Sequence, residues 1–431
     1  MAFWCIGVLL PAALPALSLE DAVKQGLENS LNLKKNLIDL SSAEYSAKRL
    51  WAEVFPTISG SASISYGAGN NLHLLTGDGF ELDKEKLSTN ARAGINLTFN
   101  AGIPYTMKNI KLAYQTRLLN YEDARNQLEI QITKNFYSLI ADRDNLASLE
   151  YMLQLAQRQY EKDQVSFRNG LIGEMVLMQS RLGLENARYN LSAARSAYAN
   201  RMRDFLSQLG IIQDTNVALE GKIEITKIEV DAENLIRKHL PRRPDIISKR
   251  QEIQRLENAQ KQLSASGKAP SLDLSANWEG RNPYSFTDTD TPFTDTLRGS
   301  ATVTIPLDPW IPGTSKNQSV RAAKLAVDKA RLDLQSAEDA ATTQIRSLAA
   351  NLRSSWDNIE IARLSLNFAE RGYNLTEQGF RNGTVESLKL GDARNNLINA
   401  RQRLLQTELS YLNMILDISA ALNISWKDLM K

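Results

Sequence analysis

Phe167-Arg168-Asn169-Gly170 and Phe380-Arg381-Asn382-Gly383 are one tetrapeptide written twice in a chain of 431 residues. At that offset, residues 160–211 and 373–424 align without a gap and agree at about one position in three, several times what ordinary residue frequencies give. The chain is therefore two copies of one unit, and its architecture is read unit by unit.

Proline placement sets the next level. No proline lies between Tyr105 and Leu240, and none follows Pro312. Proline breaks helix interiors, so such gaps permit long helices. Residues 105–168 read as one helix, closed by Asn169-Gly170, and residues 314–381 as its copy, closed by Asn382-Gly383. At 1.5 Å per residue the first would be roughly 95 Å long, far beyond the usual helix of a compact core. A shorter helix follows each tip, at 174–209 and 387–422, and another opens each half, at 19–53 and 231–266. Residues 212–230 link the halves and 425–431 form a tail. Apolar residues recur at helical spacing, as in Ile132, Phe136, Leu139 and Ile140, which predicts paired, partly solvated helices.

Between the opening helix and the long helix the period changes from 3.6 to 2. Ile58, Gly60, Ala62, Ile64 and Tyr66 alternate with serines, and Ala93, Ile95, Leu97 and Phe99 alternate with Arg92, Gly94, Asn96 and Thr98. The second half repeats this with Leu272, Leu274, Ala276 and Trp278, then Ala301, Val303 and Ile305. Strands are expected at about 56–66, 92–100, 271–279 and 299–306, joined by long polar loops over 67–90 and 280–298. Segments of this length and alternation fit transmembrane β-strands, with Tyr66 and Trp278 placed as an aromatic girdle requires. A soluble sheet with one wet face has the same alternation. Four strands cannot close a barrel, and open edges are not tolerated in lipid, so a barrel would have to be shared between chains.

Composition excludes several classes. Net charge is +2, with 51 basic and 49 acidic residues, which gives no reason to expect nucleic acid as a partner. Cys5 is the one cysteine and His73 and His239 are the histidines, so no metal-spaced cluster and no cofactor are expected. No phosphate-binding glycine loop or nucleophile elbow occurs, so no enzymatic activity is expected. Residues 2–17 are apolar and interrupted by Gly7, Pro11 and Pro15. This is too short for a spanning helix, and with small residues at Ala16 and Ser18 residues 1–18 read as an export signal cleaved after Ser18.

Three motifs together resemble the TolC family of outer-membrane efflux channel proteins, over about residues 19–424. They are Leu19-Glu20-Asp21-Ala22 at the start, Arg243-Pro244-Asp245-Ile246 opening the second half, and the two tips, each followed by a helix carrying Arg and then Asn-Ala-Arg. The resemblance implies an α+β, mostly helical fold of two internal repeats. It implies a homotrimer with a twelve-stranded transmembrane β-barrel, four strands per chain, continued by a long periplasmic α-helical coiled-coil barrel. It implies a non-enzymatic duct in the outer membrane, reaching into the periplasm, that serves a tripartite efflux pump or a type I secretion system. Its partners would be outer-membrane lipid, a periplasmic adaptor (membrane fusion) protein and an inner-membrane transporter of RND or ABC type. The adaptor would dock at Phe167, Arg168, Asn169, Gly170, Phe380, Arg381, Asn382 and Gly383. The family's closed entrance is ringed by acids at the positions of Lys389 and Asp392, so Lys389 departs from the pattern and makes the ring less electronegative. The competing reading is a periplasmic coiled-coil scaffold or adaptor without a membrane barrel.

Overall fold

The computed structural model describes residues 16–66, 87–211, 217–282 and 294–429. His73, Cys5, most of the expected export signal and the central parts of the two expected loops lie outside these residues.

The elements follow the order β1 (Ala16–Leu17), α1 (Leu19–Asn29), α2 (Leu31–Lys48), β2 (Thr57–Tyr66), β3 (Leu87–Phe99), α3 (Ile103–Arg168), α4 (Glu174–Gln208), β4 (Ala218–Leu219), α5 (Ala232–His239), α6 (Pro244–Lys268), β5 (Ser271–Asn282), β6 (Thr294–Thr304), α7 (Ser315–Arg381), α8 (Ser387–Leu422) and α9 (Trp426–Leu429). They form two compact units. One comprises residues 1–38, 119–247 and 336–431, the other residues 39–118 and 248–335.

In the first unit the cores follow helical periodicity. Ile132, Phe136, Leu139 and Ile140 of α3 pack with Ala22 of α1, with Phe205 and Leu206 of α4, and with Leu17 and Leu219 of the short parallel pair β1–β4. Ser18 caps α1 by accepting the Asp21 N–H at 3.2 Å. Cleavage after Ser18 would remove both this cap and β1. Ile345, Leu352 and Ile359 of α7 repeat at heptad spacing and pack on Tyr411, Ile415, Ile418 and Leu422 of α8. The fully buried Tyr411 hydroxyl accepts the Ile228 N–H at 3.0 Å and donates to the Thr226 carbonyl at 3.1 Å, holding an extended segment against the helices.

The opening helix of the first half breaks at Ser30, whose hydroxyl accepts the Leu33 N–H at 3.3 Å and so starts α2 afresh. Asparagine and serine bond the local backbone and favour such interruptions.

The second unit holds one antiparallel sheet in the order β2-β3-β5-β6. Its strands reach further into the expected loops than their composition predicts. β3 begins at Leu87, β5 runs to Asn282 and β6 begins at Thr294. Thr89 pairs with Asn282 and Asp295 with Gly280. Ladder hydrogen bonds belong to the backbone, so polar side chains do not stop the pairing. β6 ends at Thr304, before Pro306, which cannot donate to a ladder.

Candidate functional site

Two features stand out as functional, the sheet in one unit and the hairpin tips in the other. The sheet is decided by its register. Ile58 pairs with Ile95, Ile95 with Ala276, and Ala276 with Gly299. Gly60, Ala93, Trp278 and Leu297 form the next row, and Leu97, Leu274 and Ala301 another. Every row thus falls on one face, and the four strands make a continuous apolar surface. That surface is open: Ile58 is 72 % exposed and Leu297 76 %. A soluble sheet would bury such a face, and a contiguous open apolar patch marks a surface that meets something other than water. At one end of it the Trp278 indole N–H donates to Asp295 at 3.2 Å. The opposite face carries Ser59, Ser61, Arg92, Asn96, Asp273, Ser275, Glu279, Arg298 and Ser300. There Arg92 forms an ion pair with Glu279 at 2.9 Å and the Thr98 hydroxyl donates to Asp273 at 2.7 Å. β2 and β6 are each paired along one side only. No helix among the described residues is long and apolar enough to cross a membrane.

The two tips share one backbone solution. Gly170 has φ +70° and Gly383 φ +75°. The Gly170 N–H donates to the Phe167 carbonyl at 2.9 Å and the Leu171 N–H to Ser166 at 2.8 Å. Gly383 to Phe380 at 3.1 Å and Thr384 to Gly379 at 2.9 Å repeat the pattern. This is the glycine-terminated double bond that closes a helix by satisfying its last carbonyls. A Cβ at either tip glycine would touch nothing within 4 Å, so glycine is required for its dihedral and not for space.

Arg168, Asn169 and Gly170 are exposed, as are Arg381, Asn382 and Gly383. Arg381 pairs with Glu377 at 2.7 Å. Phe380 differs from Phe167 in turning toward the tip core of Met152, Tyr373, Leu390 and Leu397. The Lys162 ammonium sits 4.5 Å from the Phe380 ring centroid and so ties α3 to α7. Lys162 carries no sequence signal beyond its charge, and only the fold reveals its role. Lys389 and Asp392 both line an open groove of about 770 Å³ between α7 and α8, with Leu364, Phe368 and Tyr373 also on its wall.

Above the tips, two helices leave matched seams uncovered. Met175, Met178, Leu182 and Tyr189 on α4 are exposed, as are Ile361, Leu364, Phe368 and Leu375 on α7. Both sets are spaced by three, four and seven residues, the repeat of a coiled-coil face.

The motif opening the second half is also explained. Pro244 occupies the first position of α6, where a missing N–H costs nothing, and Ile246 is fully buried. Arg243 grips Asp245 through two hydrogen bonds and reaches Gln344 of α7. His239, beside it in sequence, is held below its ordinary pKa by burial and by the charges of Lys238 and Arg242. Among the described residues no group of histidine, cysteine or acidic side chains could hold a metal.

Residues 235–423, nearly all of the second repeat, match the family model of outer membrane efflux proteins. Escherichia coli outer membrane protein TolC is 22 % identical over 314 residues, covering 70 % of this chain and 63 % of TolC. The chain thus spans under two thirds of that relative's length. The Campylobacter jejuni CmeC outer membrane channel superposes with a TM-score of 0.74 at 21 % identity, over 94 % of this chain and 85 % of that one. Vibrio cholerae outer membrane protein VceC gives 0.73 at 15 %, over 95 % and 96 %. The open state of the Neisseria gonorrhoeae MtrE outer membrane channel gives 0.72 at 13 %, over 94 % and 89 %. The fold of this chain is that of these channels.

Proposed function

We propose that three copies of this chain assemble into a passive exit duct, the outer component of a tripartite efflux pump or type I secretion system. The observation that carries this reading is the sheet. A four-stranded sheet with one continuous exposed apolar face and two half-paired edges is stable in a bilayer only when its edges meet other strands. Copies of itself supply them: β6 of one chain would pair with β2 of the next until the ring closes, the apolar rows outward and the serine-rich face lining water.

The helical unit supports the same assembly. The α4 seam of one copy would pack against the α7 seam of the next. Such a contact joins two different patches, so it is head-to-tail, and head-to-tail contacts form rings when the rotation closes. The helical part would extend into the periplasm, and the exposed tips would receive a periplasmic adaptor that couples the duct to an inner-membrane transporter of RND or ABC type. Lys389 and Asp392, beside the tip core, would sit at the entrance. The duct itself does no chemistry, and its driving energy comes from the transporter.

Fractionation with chemical cross-linking tests this directly. The expected result is a cross-linked trimer sedimenting with the outer membrane and released only by detergent. A monomer recovered in the soluble periplasmic fraction would point instead to a coiled-coil scaffold.

A further inference from the structure

The water-facing side of the sheet is not electrically neutral. The side chains on it include three guanidiniums, Arg92, Arg281 and Arg298, against two carboxylates, Asp273 and Glu279. The remaining positions are serine, threonine, asparagine and glycine. Glu279 is taken up by Arg92 at 2.9 Å, through both Nε and Nη2. Asp273 lies in the row of Thr98 and Thr302, two rows away from the row Ser59, Gly94, Asn277 and Arg298. Arg298, like Arg281, therefore has no carboxylate partner among the described residues. It lines a groove of about 390 Å³ on this face together with Ser59, Ser61, Arg92, Asn277 and Thr296.

Arg298 can also be replaced by a neutral residue without breaking the pattern of the sheet. Its neighbours in the row are small and neutral, and a threonine or serine there would continue the pattern of β6. An unneutralised guanidinium repeated around a ring by symmetry is the arrangement that sets charge preference in a pore: rings of acids pass cations, and rings of Arg or Lys pass anions.

We propose that the barrel wall is an electropositive girdle, with Arg281 and Arg298 as its unneutralised charges, that favours anionic solutes over cationic ones. The inference rests on the duct reading above, because it needs this face to line the pore.

The test is the zero-current potential of the purified full-length protein in planar bilayers under a tenfold KCl gradient. Wild type is expected to show a chloride-to-potassium permeability ratio above one. Arg298→Gln is expected to lower that ratio about twofold, and Arg298→Glu to carry it below one. Leu297→Val, adjacent in sequence but on the outward face, is expected to leave it unchanged. Single-channel steps with a ratio that none of the Arg298 variants moves would overturn the inference and leave the duct intact. An absence of any conductance steps from trimeric protein would overturn the duct reading and the inference with it.

Discussion

Arg243 holds Asp245 in a fork, Nε to Oδ1 at 3.0 Å and Nη2 to Oδ2 at 2.8 Å, while the arginine itself is 9 % exposed. The geometry fixes where α6 begins. The Asp245 carboxyl also accepts the Ile246 N–H at 2.9 Å, so one side chain binds the preceding arginine and the first turn of the helix.

Removing the acid leaves a buried guanidinium with Gln344 alone. Asp245→Ala should therefore lower stability by roughly 1–3 kcal/mol, toward the low end because half of the Asp245 side chain meets water. Burial alone would raise the Asp245 pKa, but the Arg243 hydrogen bonds and charge outweigh it and the carboxyl sits below its usual value. The stabilisation is then complete above the unfolded-state pKa of about 3.9 and disappears as pH falls through the lower folded value. Thermal melts in detergent should separate wild type and Asp245→Ala at neutral pH and bring them together in strong acid. Curves that stay equally far apart at every pH would show that the pair is not the cause.

At the tips the prediction concerns the backbone. A β-branched residue at φ near +70° is strained by about 1–3 kcal/mol. Replacing Gly170 and Gly383 together by valine should impair export and leave cross-linked trimer abundant, because no neighbouring atom lies within 4 Å to transmit the change. Unchanged drug or substrate export by the double variant would remove the tips as the coupling site.

Neighbouring residues on β3 separate the two faces of the sheet. Ile95→Arg places a charge on the outward rows and should cost about 2–4 kcal/mol per copy at mid-bilayer. Asn96→Arg, one residue on, faces the water side and should be tolerated. The amount of each variant recovered in the outer-membrane fraction measures the difference. Equal recovery would mean that the apolar rows do not meet lipid.

The seams on α4 and α7 make a paired prediction. Leu182→Glu or Phe368→Glu alone should reduce trimer recovery, since each puts a charge into an apolar coiled-coil face. Leu182→Glu combined with Phe368→Arg should restore part of it, which a purely local destabilisation would not do. The readout is the fraction of cross-linked trimer at fixed expression.

Gly26 tests the packing of α1 on α3. A Cβ there would fall 2.3 Å from the Ile132 Cδ1 and 3.1 Å from a Leu209 methyl. Gly26→Ala should cost about 1–3 kcal/mol by overpacking. Ile132→Val, which deletes the offending methyl, should recover much of that loss in the double variant when melting temperatures are compared.

The duplication, the long helices and the two-residue alternation were legible in the chain because each is a matter of spacing. Proline cannot sit in α3 beyond its first turn, where Pro104 lies, glycine is the residue that ends it at φ +70°, and alternate residues of a strand point to opposite faces whatever surrounds them. Strand ends at Leu87, Asn282 and Thr294 were hidden because backbone ladders continue under polar side chains. Likewise Ser30 interrupts the opening helix by bonding locally, which no apolar pattern records. What the three-dimensional arrangement alone decided is which residues meet. The register that stacks Ile58, Ile95 and Ala276 in one row, the ammonium of Lys162 over Phe380, the fork on Asp245 and the unpaired state of Arg298 all depend on distances between segments far apart in the chain. Local periodicity fixes the direction in which a side chain points, but its neighbour is set by how the backbone returns.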